Sequence, residues 1–324
     1  MGTRNDMQHI LKSVVDNGYV YHYRKYHDSD DVSDVFWAHP NFIKLFNTFS
    51  TVLVLDSTYK TNKYRLPLFE FVGNTSTMKT FSIAFAFAYM ISERQDNVYW
   101  ALKRCREMLH SKDLYPKVVV TDRDNALINV VEKVFPKATT LLCSYHIVQN
   151  VRAKCKLDCK VKDLKGKNGE AIKPASVVKT VMAVWLDIVN SETEEAYIDN
   201  WTRFKVVCAK FPKFLDYVEK TILDLVKEKF VRFWVDKNLH MGNTTTNRAD
   251  SAHARLKKYL SSSMGDLSTN WQSVHYMLEL QHTARHASFQ TNIIMLKHRF
   301  KGKVLWSRLI RNMLREALHH LVVV

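Results

Sequence analysis

The sequence is poor in the residues that interrupt or cross-link a chain. Its 324 residues include eight glycines and six prolines, too few for long disordered linkers or for a sandwich of many short strands. Five cysteines, an odd number, favour a reducing compartment over a disulfide framework. The longest apolar run, Phe81 to Ile91, is too short to span a bilayer. The N-terminal residues lack the pattern of a signal peptide. We therefore expect a globular chain with no membrane partner.

Positive charge is abundant. The formal net charge is +16, whereas the 46% hydrophobic and 25% charged content is ordinary for a globular protein. Such an excess predicts attraction to polyanions, with nucleic acid as the first expectation and an anionic membrane surface as the second. A basic protein without a polyanionic partner is the alternative.

The first half of the chain reads as a sheet flanked by helices. Residues 1–50 are tyrosine-rich, and "FWAHPNFIKLF" has apolar residues near helical spacing, so this region is predicted to be helical. Residues 51–160 follow the order β-β-β-α-β-α-β-α, beginning with the apolar strand "TVLVLD". A three-strand meander followed by α-β units predicts an α/β fold with a mixed sheet and helices on its faces.

The second half is predicted to be helical. Residues 161–243 form a basic loop and a helical insertion, and the lysine-rich loop is either a solvated charge run or a phosphate-contacting arm. Residues 244–262 contain the capped helix "TTNRADSAHARLKKYL". Residues 263–324 form a C-terminal helical region rich in His, Arg and Leu.

Two acids mark the ends of buried strands. Asp56 closes "TVLVLD" and Asp122 closes "KVVVTD", where open α/β folds place ligands. Neighbouring carboxylates there can hold magnesium, and two metal ions about 4 Å apart can assist displacement at a phosphodiester. The alternative is that each acid is a turn or cap residue. Asp124, directly before "NALINVV", is the expected helix cap.

The helix after the insertion carries one acid, Asp250. Its predicted buried face comprises Ala249, Ala252, Leu256, Tyr259 and Leu260. Asp250, His253 and Lys257 share the adjoining flank, which can face a cleft. An acid in the first turn also complements the helix dipole, so Asp250 is either a site residue or a favourable surface acid.

Three stretches together resemble the transposase domain of Mutator-like DNA transposons, a family that also includes plant far-red-response regulators. They are "LDSTYKTNKYRLPLFEFVG", "VVVTDRDNALINVVEKVFPKA" and "LLCSYHIVQNV". The resemblance covers about Asp34 to Leu260 and implies a ribonuclease-H-like fold with an all-helical insertion. It also implies metal-binding catalytic acids at Asp56 and Asp122, with a third at Asp250, where the family has glutamate.

The same resemblance places the family's Cys-x-x-His motif at Cys143 and His146. No second ligand pair completes a zinc site around them, so we expect a structural role or one that supports the neighbouring aspartates. Zinc-finger-like Cys/His clusters of longer family members have no counterpart here. Within the resemblance, the chain therefore corresponds to the catalytic core alone.

The expected function is a nuclear DNA transposase that uses two Mg²⁺ or Mn²⁺ ions on transposon ends and target DNA, with a homodimer left open. Aspartate is about 1 Å shorter than glutamate, and such a misplacement can cost on the order of a hundredfold in rate. A catalytically impaired DNA-binding regulator and a nuclease on RNA or hybrid duplexes are the alternatives. The residues expected to contact DNA phosphates are Lys60, Lys63, Arg123, Arg255, Lys257 and Lys258.

Overall fold

The structure is a computed structural model that describes residues 3–25, 29–88, 94–160, 173–260 and 265–294. Its seven strands are β1 (Val20–Lys25), β2 (Val32–Ala38), β3 (Val52–Thr58), β4 (Leu68–Asn74), β5 (Thr80–Ala88), β6 (Val118–Thr121) and β7 (Thr139–Leu142). The longer helices are α1 (Thr3–Asp16), α2 (Pro40–Thr48), α3 (Arg94–Glu107), α4 (Asn125–Val134), α5 (Ser144–Asp158), α6 (Pro174–Val189) and α7 (Glu194–Cys208).

Shorter helical segments follow α7. They are α8 (Pro212–Asp216), a π-helix (Tyr217–Leu223), α9 (Asp224–Val226), a 3-10 helix (Lys227–Lys229) and α10 (Arg232–Val235). Two further helices, α11 (Asn247–Tyr259) and α12 (Leu267–Ile294), complete the described chain, and a second 3-10 helix spans Lys112–Leu114. The chain folds into two compact units. Unit 1 comprises residues 1–116, 129–138 and 247–324, and unit 2 comprises residues 117–128 and 139–246.

Unit 1 is organised around antiparallel strands in the order β1-β2-β5-β4-β3. The predicted meander is confirmed, because β3 pairs with β4 and β4 pairs with β5. Strand β3 is apolar on both faces from Val52 to Leu55, all of which are buried. The register places Asp56 directly opposite Glu70, so these two side chains share one face of the sheet.

The prediction of a helical region over residues 1–50 is wrong for two segments, which form β1 and β2. In β1 the side chains from Tyr21 onward alternate between exposed and half-buried, a period of two that suits a strand. The apolar run "FWAHPNFIKLF" is split by Pro40, which begins α2 and holds His39 in an extended conformation. Of the described residues in this region, those of α1 and α2 are helical.

Unit 2 combines a parallel strand pair, β6 and β7, with the helices from α5 to α10. Trp185, Phe204 and Phe214 are fully buried in one apolar cluster of these helices. The insertion is therefore helical over the part that the structure describes, as predicted. The predicted basic loop, at residues 161–172, lies outside the described residues.

Together the two kinds of strand pairing make this a mixed α/β protein, as the sequence predicted, while the ribonuclease-H-like assignment stays a prediction. The C-terminal region is helical as far as Ile294, and residues 295–324 lie outside the described part. Among the described helices, none is both long and apolar enough to cross a membrane.

Candidate metal and acid sites

Asp56 lies inside β3, two residues before the strand ends at Thr58. The prediction that Asp56 closes this strand is wrong by two residues. The apolar run stops at Leu55, but pairing with β4 continues to Thr58 opposite Leu68. A strand ends where its backbone pairing ends, not where its apolar residues end. The Asp56 side chain is 11% exposed, and its Oδ1 accepts a hydrogen bond of 2.8 Å from the Ser57 amide.

Helix α11 carries Asp250 and His253 one turn apart. Ala249, Ala252 and Leu256 are buried, as predicted from their spacing. Two parts of the helix differ from the prediction: Tyr259 is exposed, and His253 is buried rather than on a half-open flank. Helical spacing predicts which residues share a face, but the β-sheet that covers α11 decides how far that buried face extends.

Asp56, Asp250 and His253 converge within unit 1. Each offers one potential ligand atom, and these three atoms all lie within 4.8 Å of one another. His253 Nδ1 is 3.4 Å from Asp56 Oδ2, and His253 Nε2 is 2.9 Å from Glu70 Oε2. Glu70 is completely buried. Neither Glu70 oxygen has a hydrogen-bond partner among the described residues, so the ion pair with His253 is its one polar contact.

These contacts set the charge of His253. Burial alone lowers the pKa of the imidazole, but the close carboxylates of Asp56 and Glu70 outweigh it and raise the pKa to about 10. At neutral pH the metal-free imidazole is therefore protonated. Three carboxyl groups therefore lie around a single imidazole, and this set contains donors that can hold a divalent cation.

A second group forms within unit 2. Asp122 directly follows β6, Cys143 directly follows β7, and His146 lies in the first turn of α5. Their potential ligand atoms also lie within 4.8 Å of one another, and His146 Nδ1 is 2.7 Å from Asp122 Oδ1. The group resembles a carboxylate–histidine pair with a thiol beside it. A role for this group in supporting catalysis stays a prediction.

Thr246 ties this second group together. Its fully buried hydroxyl lies 3.3 Å from both Asp122 Oδ1 and Cys143 Sγ, and 3.4 Å from His146 Nδ1. The Thr246 amide also donates to Cys143 Sγ over 3.3 Å. Burial is the main cause that raises the pKa of the Cys143 thiol, although the contacts with Thr246 lower it in part. Cys143 is therefore a neutral thiol at physiological pH.

Asp124 is the cap of α4, as predicted. Its Oδ1 accepts hydrogen bonds of 3.0 and 3.4 Å from the amides of Ala126 and Leu127. This frees Asp122, two residues earlier, from the capping role. The hydrogen bonds from the backbone amides therefore identify Asp124, rather than Asp122, as the cap of α4.

The structure groups the predicted site residues into two sets. Asp56 and Asp250 lie together in unit 1, and Asp122, Cys143 and His146 lie together in unit 2. A three-acid site stays a prediction. Sequence reasoning did not assign Glu70, His253 and Thr246 to these sites. A signal for Glu70 was its position as the lone charge in the apolar stretch "LPLFEFVG".

The predicted phosphate-contacting residues occupy different settings. Lys60 and Lys63 are exposed after β3, and Arg255, Lys257 and Lys258 are exposed on α11. Arg123 is half-buried, and its Nη2 donates over 2.5 Å to the Thr221 carbonyl within unit 2. DNA contacts by these six residues stay a prediction.

Comparison with known proteins identifies the segment that contains the first two acids. Residues 52–150 match the family model of the MULE transposase domain, which confirms the resemblance over that segment. The protein FAR1-RELATED SEQUENCE 5 of Arabidopsis thaliana is 30% identical over 128 residues, which are 39% of this chain and 16% of that protein. FAR1-RELATED SEQUENCE 6 of the same plant is 27% identical over 127 residues, 39% of this chain and 17% of that protein.

A third relative is the PKS-NRPS hybrid synthetase cheA of Chaetomium globosum. It is 26% identical over 117 residues, which are 36% of this chain and 2% of that protein. The chain thus spans less than a fifth of each of these relatives. The similarity therefore concerns one domain, and the activities of the whole relatives do not follow for this chain.

Proposed function

We propose that this chain, whose residues 52–150 match the MULE transposase domain, is the catalytic part of a metal-dependent DNA transposase that acts in the nucleus. The observation that carries the proposal is the convergence of Asp56 and Asp250, 194 positions apart in sequence, to within 4.8 Å. Sequence-distant carboxylates that meet in a basic protein suit a site for divalent cations and phosphodiesters.

The donor atoms fit a divalent ion. Carboxylate oxygens are the ligands that Mg²⁺ and Mn²⁺ prefer, and Asp56 is held in place by the Ser57 amide. In the proposal Asp56 and Asp250 hold such an ion in unit 1, and a metal-binding role for Asp122 is what the family resemblance alone implies. When bound, the ions supply Lewis acidity for attack by water and then by the freed 3′ hydroxyl.

The protein's own groups have two tasks in this reaction. The carboxylates orient the ions, and the exposed cations after β3 and on α11 hold the DNA backbone by its phosphates. Of these cations, Lys257 and Lys258 follow Asp250 within two turns of α11. Lys257 lies seven residues after Asp250 and so shares its face of α11, where it is placed to hold a phosphate of a strand that reaches the acid.

A cleavage assay tests the proposal. Purified protein with Mg²⁺ or Mn²⁺ should nick DNA that carries the transposon terminal repeats, and Asp56→Ala should abolish nicking. The matched control is Asp30→Ala, because Asp30 is an exposed acid of unit 1 outside the group. Equal nicking by wild type and Asp56→Ala would refute the assignment. Preference for an RNA–DNA hybrid would instead indicate a nuclease.

The second candidate is a DNA-binding regulator of the same fold that has lost catalysis. Its support is the aspartate at position 250, where the family resemblance predicts glutamate, together with the FAR1-related relatives. Salt-sensitive DNA binding without cleavage under any divalent ion would favour it. Asp250→Glu separates the two candidates. The longer glutamate side chain should raise cleavage in a transposase whose other site residues are intact, and should not produce cleavage in a regulator that has lost them.

A further inference from the structure

His253 has the surroundings of a metal-ligating histidine. Two atoms that bind one ion at about 2.1 Å are separated by about 3 Å when they are adjacent in its coordination sphere. His253 Nδ1 and Asp56 Oδ2 are 3.4 Å apart, and Asp250 completes a group whose atoms lie within 4.8 Å. The other ring nitrogen, Nε2, faces the Glu70 carboxylate at 2.9 Å.

We propose that His253 is itself a metal ligand, with Asp56 and Asp250, and that Glu70 is the positioning residue that orients its ring. This deepens the proposed function, on which it rests, because it changes the ligand set from carboxylates alone to two carboxylates and one imidazole. Histidines that bind metals commonly donate the remaining ring N–H to a carboxylate, which fixes the tautomer and the ring plane.

Glu70 fits that positioning task and little else. It is completely buried in β4, and a buried carboxylate without a partner is strongly unfavourable. Within the described ranges it forms an ion pair with His253 Nε2, so the ring is held with Nδ1 directed towards Asp56. With Nε2 facing Glu70, Nδ1 is the ring nitrogen that would be offered to an ion, which would require Nδ1 to be deprotonated.

The ligand set predicts which ion the site accepts. Mg²⁺ favours oxygen ligands, whereas an imidazole nitrogen suits first-row transition ions. Mn²⁺ accepts both carboxylate and imidazole, so it is expected to bind at least ten times more tightly than Mg²⁺. This expectation concerns binding and holds whether or not DNA is cleaved.

Pulsed electron paramagnetic resonance of the full chain with sub-stoichiometric Mn²⁺ tests the ligand directly. A histidine nitrogen bound to Mn²⁺ gives a ¹⁴N hyperfine coupling, which should be present in wild type and absent in His253→Gln. Two variants are controls. His39→Gln removes a unit 1 histidine that also lies beside a glutamate, and His146→Gln removes the histidine of the other group; both should retain the coupling.

Glu70 requires its own variants. In Glu70→Gln the ¹⁴N coupling should persist while Mn²⁺ affinity falls about 10- to 100-fold, the usual effect of losing the partner of a ligating histidine. If His253→Gln does not fold, because Glu70 is then buried without a cation, the double variant Glu70→Gln/His253→Gln supplies a neutral amide pair. Its folding is checked by circular dichroism, and it too should lack the coupling.

The outcomes separate this inference from the proposed function. Bound Mn²⁺ without a ¹⁴N coupling, or a coupling that survives in His253→Gln or disappears in His146→Gln, overturns the inference. If metal-dependent cleavage persists in that case, the proposed function stands. Absence of any Mn²⁺ or Mg²⁺ binding, together with absence of cleavage, overturns both.

Discussion

Thr246 Oγ1 lies 3.3 Å from Asp122 Oδ1, although the two residues are 124 positions apart. The same hydroxyl approaches Cys143 and His146, so one buried oxygen organises the group in unit 2. Removal of the Thr246 hydroxyl tests whether its contacts hold the group in unit 2 together.

Thr246→Val should lower the free energy of unfolding by about 1–2 kcal/mol, because it removes a buried hydroxyl that has partners. Urea denaturation measures the change. Thr140→Val is the matched control, since the Thr140 hydroxyl is buried in β7 and has no hydrogen-bond partner in the part of the chain that the structure describes. That substitution should be neutral or stabilising. Equal losses in the two variants would show that the contacts of Thr246 contribute nothing specific.

Gly73 permits close packing in the centre of unit 1. It pairs with Phe81 across β4 and β5, and a Cβ atom on Gly73 would lie 2.5 Å from the Phe81 ring. Gly73→Ala should therefore destabilise the protein by about 1–3 kcal/mol, since the ring has to shift within a packed core.

The cause can be isolated with a double-mutant cycle. Phe81→Leu shortens the opposing side chain and should absorb part of the cost, so that the double variant loses less stability than the sum of the single variants. Strict additivity would mean that the clash with Phe81 is not the reason for glycine at this position.

His39 makes unit 1 sensitive to acid. Burial is the main cause that lowers the pKa of His39, and it outweighs the opposite effect of Glu279. The neutral ring caps α2, because its Nδ1 accepts a hydrogen bond of 3.2 Å from the Asn41 amide.

A group whose pKa is lower in the folded state contributes its full stability above the unfolded value, about 6.5, and loses it as the pH falls. Stability should thus decline below about pH 6.5. Asparagine keeps the capping ability without titrating, so His39→Asn should show a smaller decline in urea titrations at several pH values. Identical pH profiles for the two proteins would exclude His39 as the source.

The exposed cations on α11 should contribute to DNA affinity through phosphates. Replacing Arg255, Lys257 and Lys258 with alanine should weaken binding and reduce the slope of log affinity against log salt by up to about 3, nearly one for each lost phosphate contact. Removal of Lys12, Lys44 and Lys112, three exposed lysines outside the predicted set, is the charge-matched control. An equal change in slope for both triple variants would indicate that only net charge matters.

Much of the fold could be predicted from periodicity. The meander, the parallel strands before α4 and α5, and the helical insertion follow from apolar patterns that are long enough to be distinctive. β1 and β2 could not be recognised in this way. They are rich in aromatic residues and adjacent to true helices. β1 pairs with β2, and β2 pairs with β5, where Val35 lies opposite Phe87, 52 residues further along the chain.

The sites could be predicted only in part. Asp56 and Asp122 are predicted site residues because each closes an apolar run, and the family resemblance adds Asp250; their roles stay predictions. The contacts of Glu70 and His253 could not be predicted, because register across a β-hairpin and the rotation of α11 together decide which side chains meet. The position of Glu70 opposite Asp56 can be recognised only once the pairing of β3 with β4 is known.

The ion pair between Glu70 and His253 also links their evolutionary histories. Substitution of either residue alone leaves the other as a buried charge without its counter-charge. The cost in free energy is comparable to a large part of a domain's stability. Single substitutions are therefore selected against, whereas a paired change to two neutral residues is tolerated by the fold. In a set of related sequences, positions 70 and 253 should accordingly vary together, retaining both ionisable groups or neither.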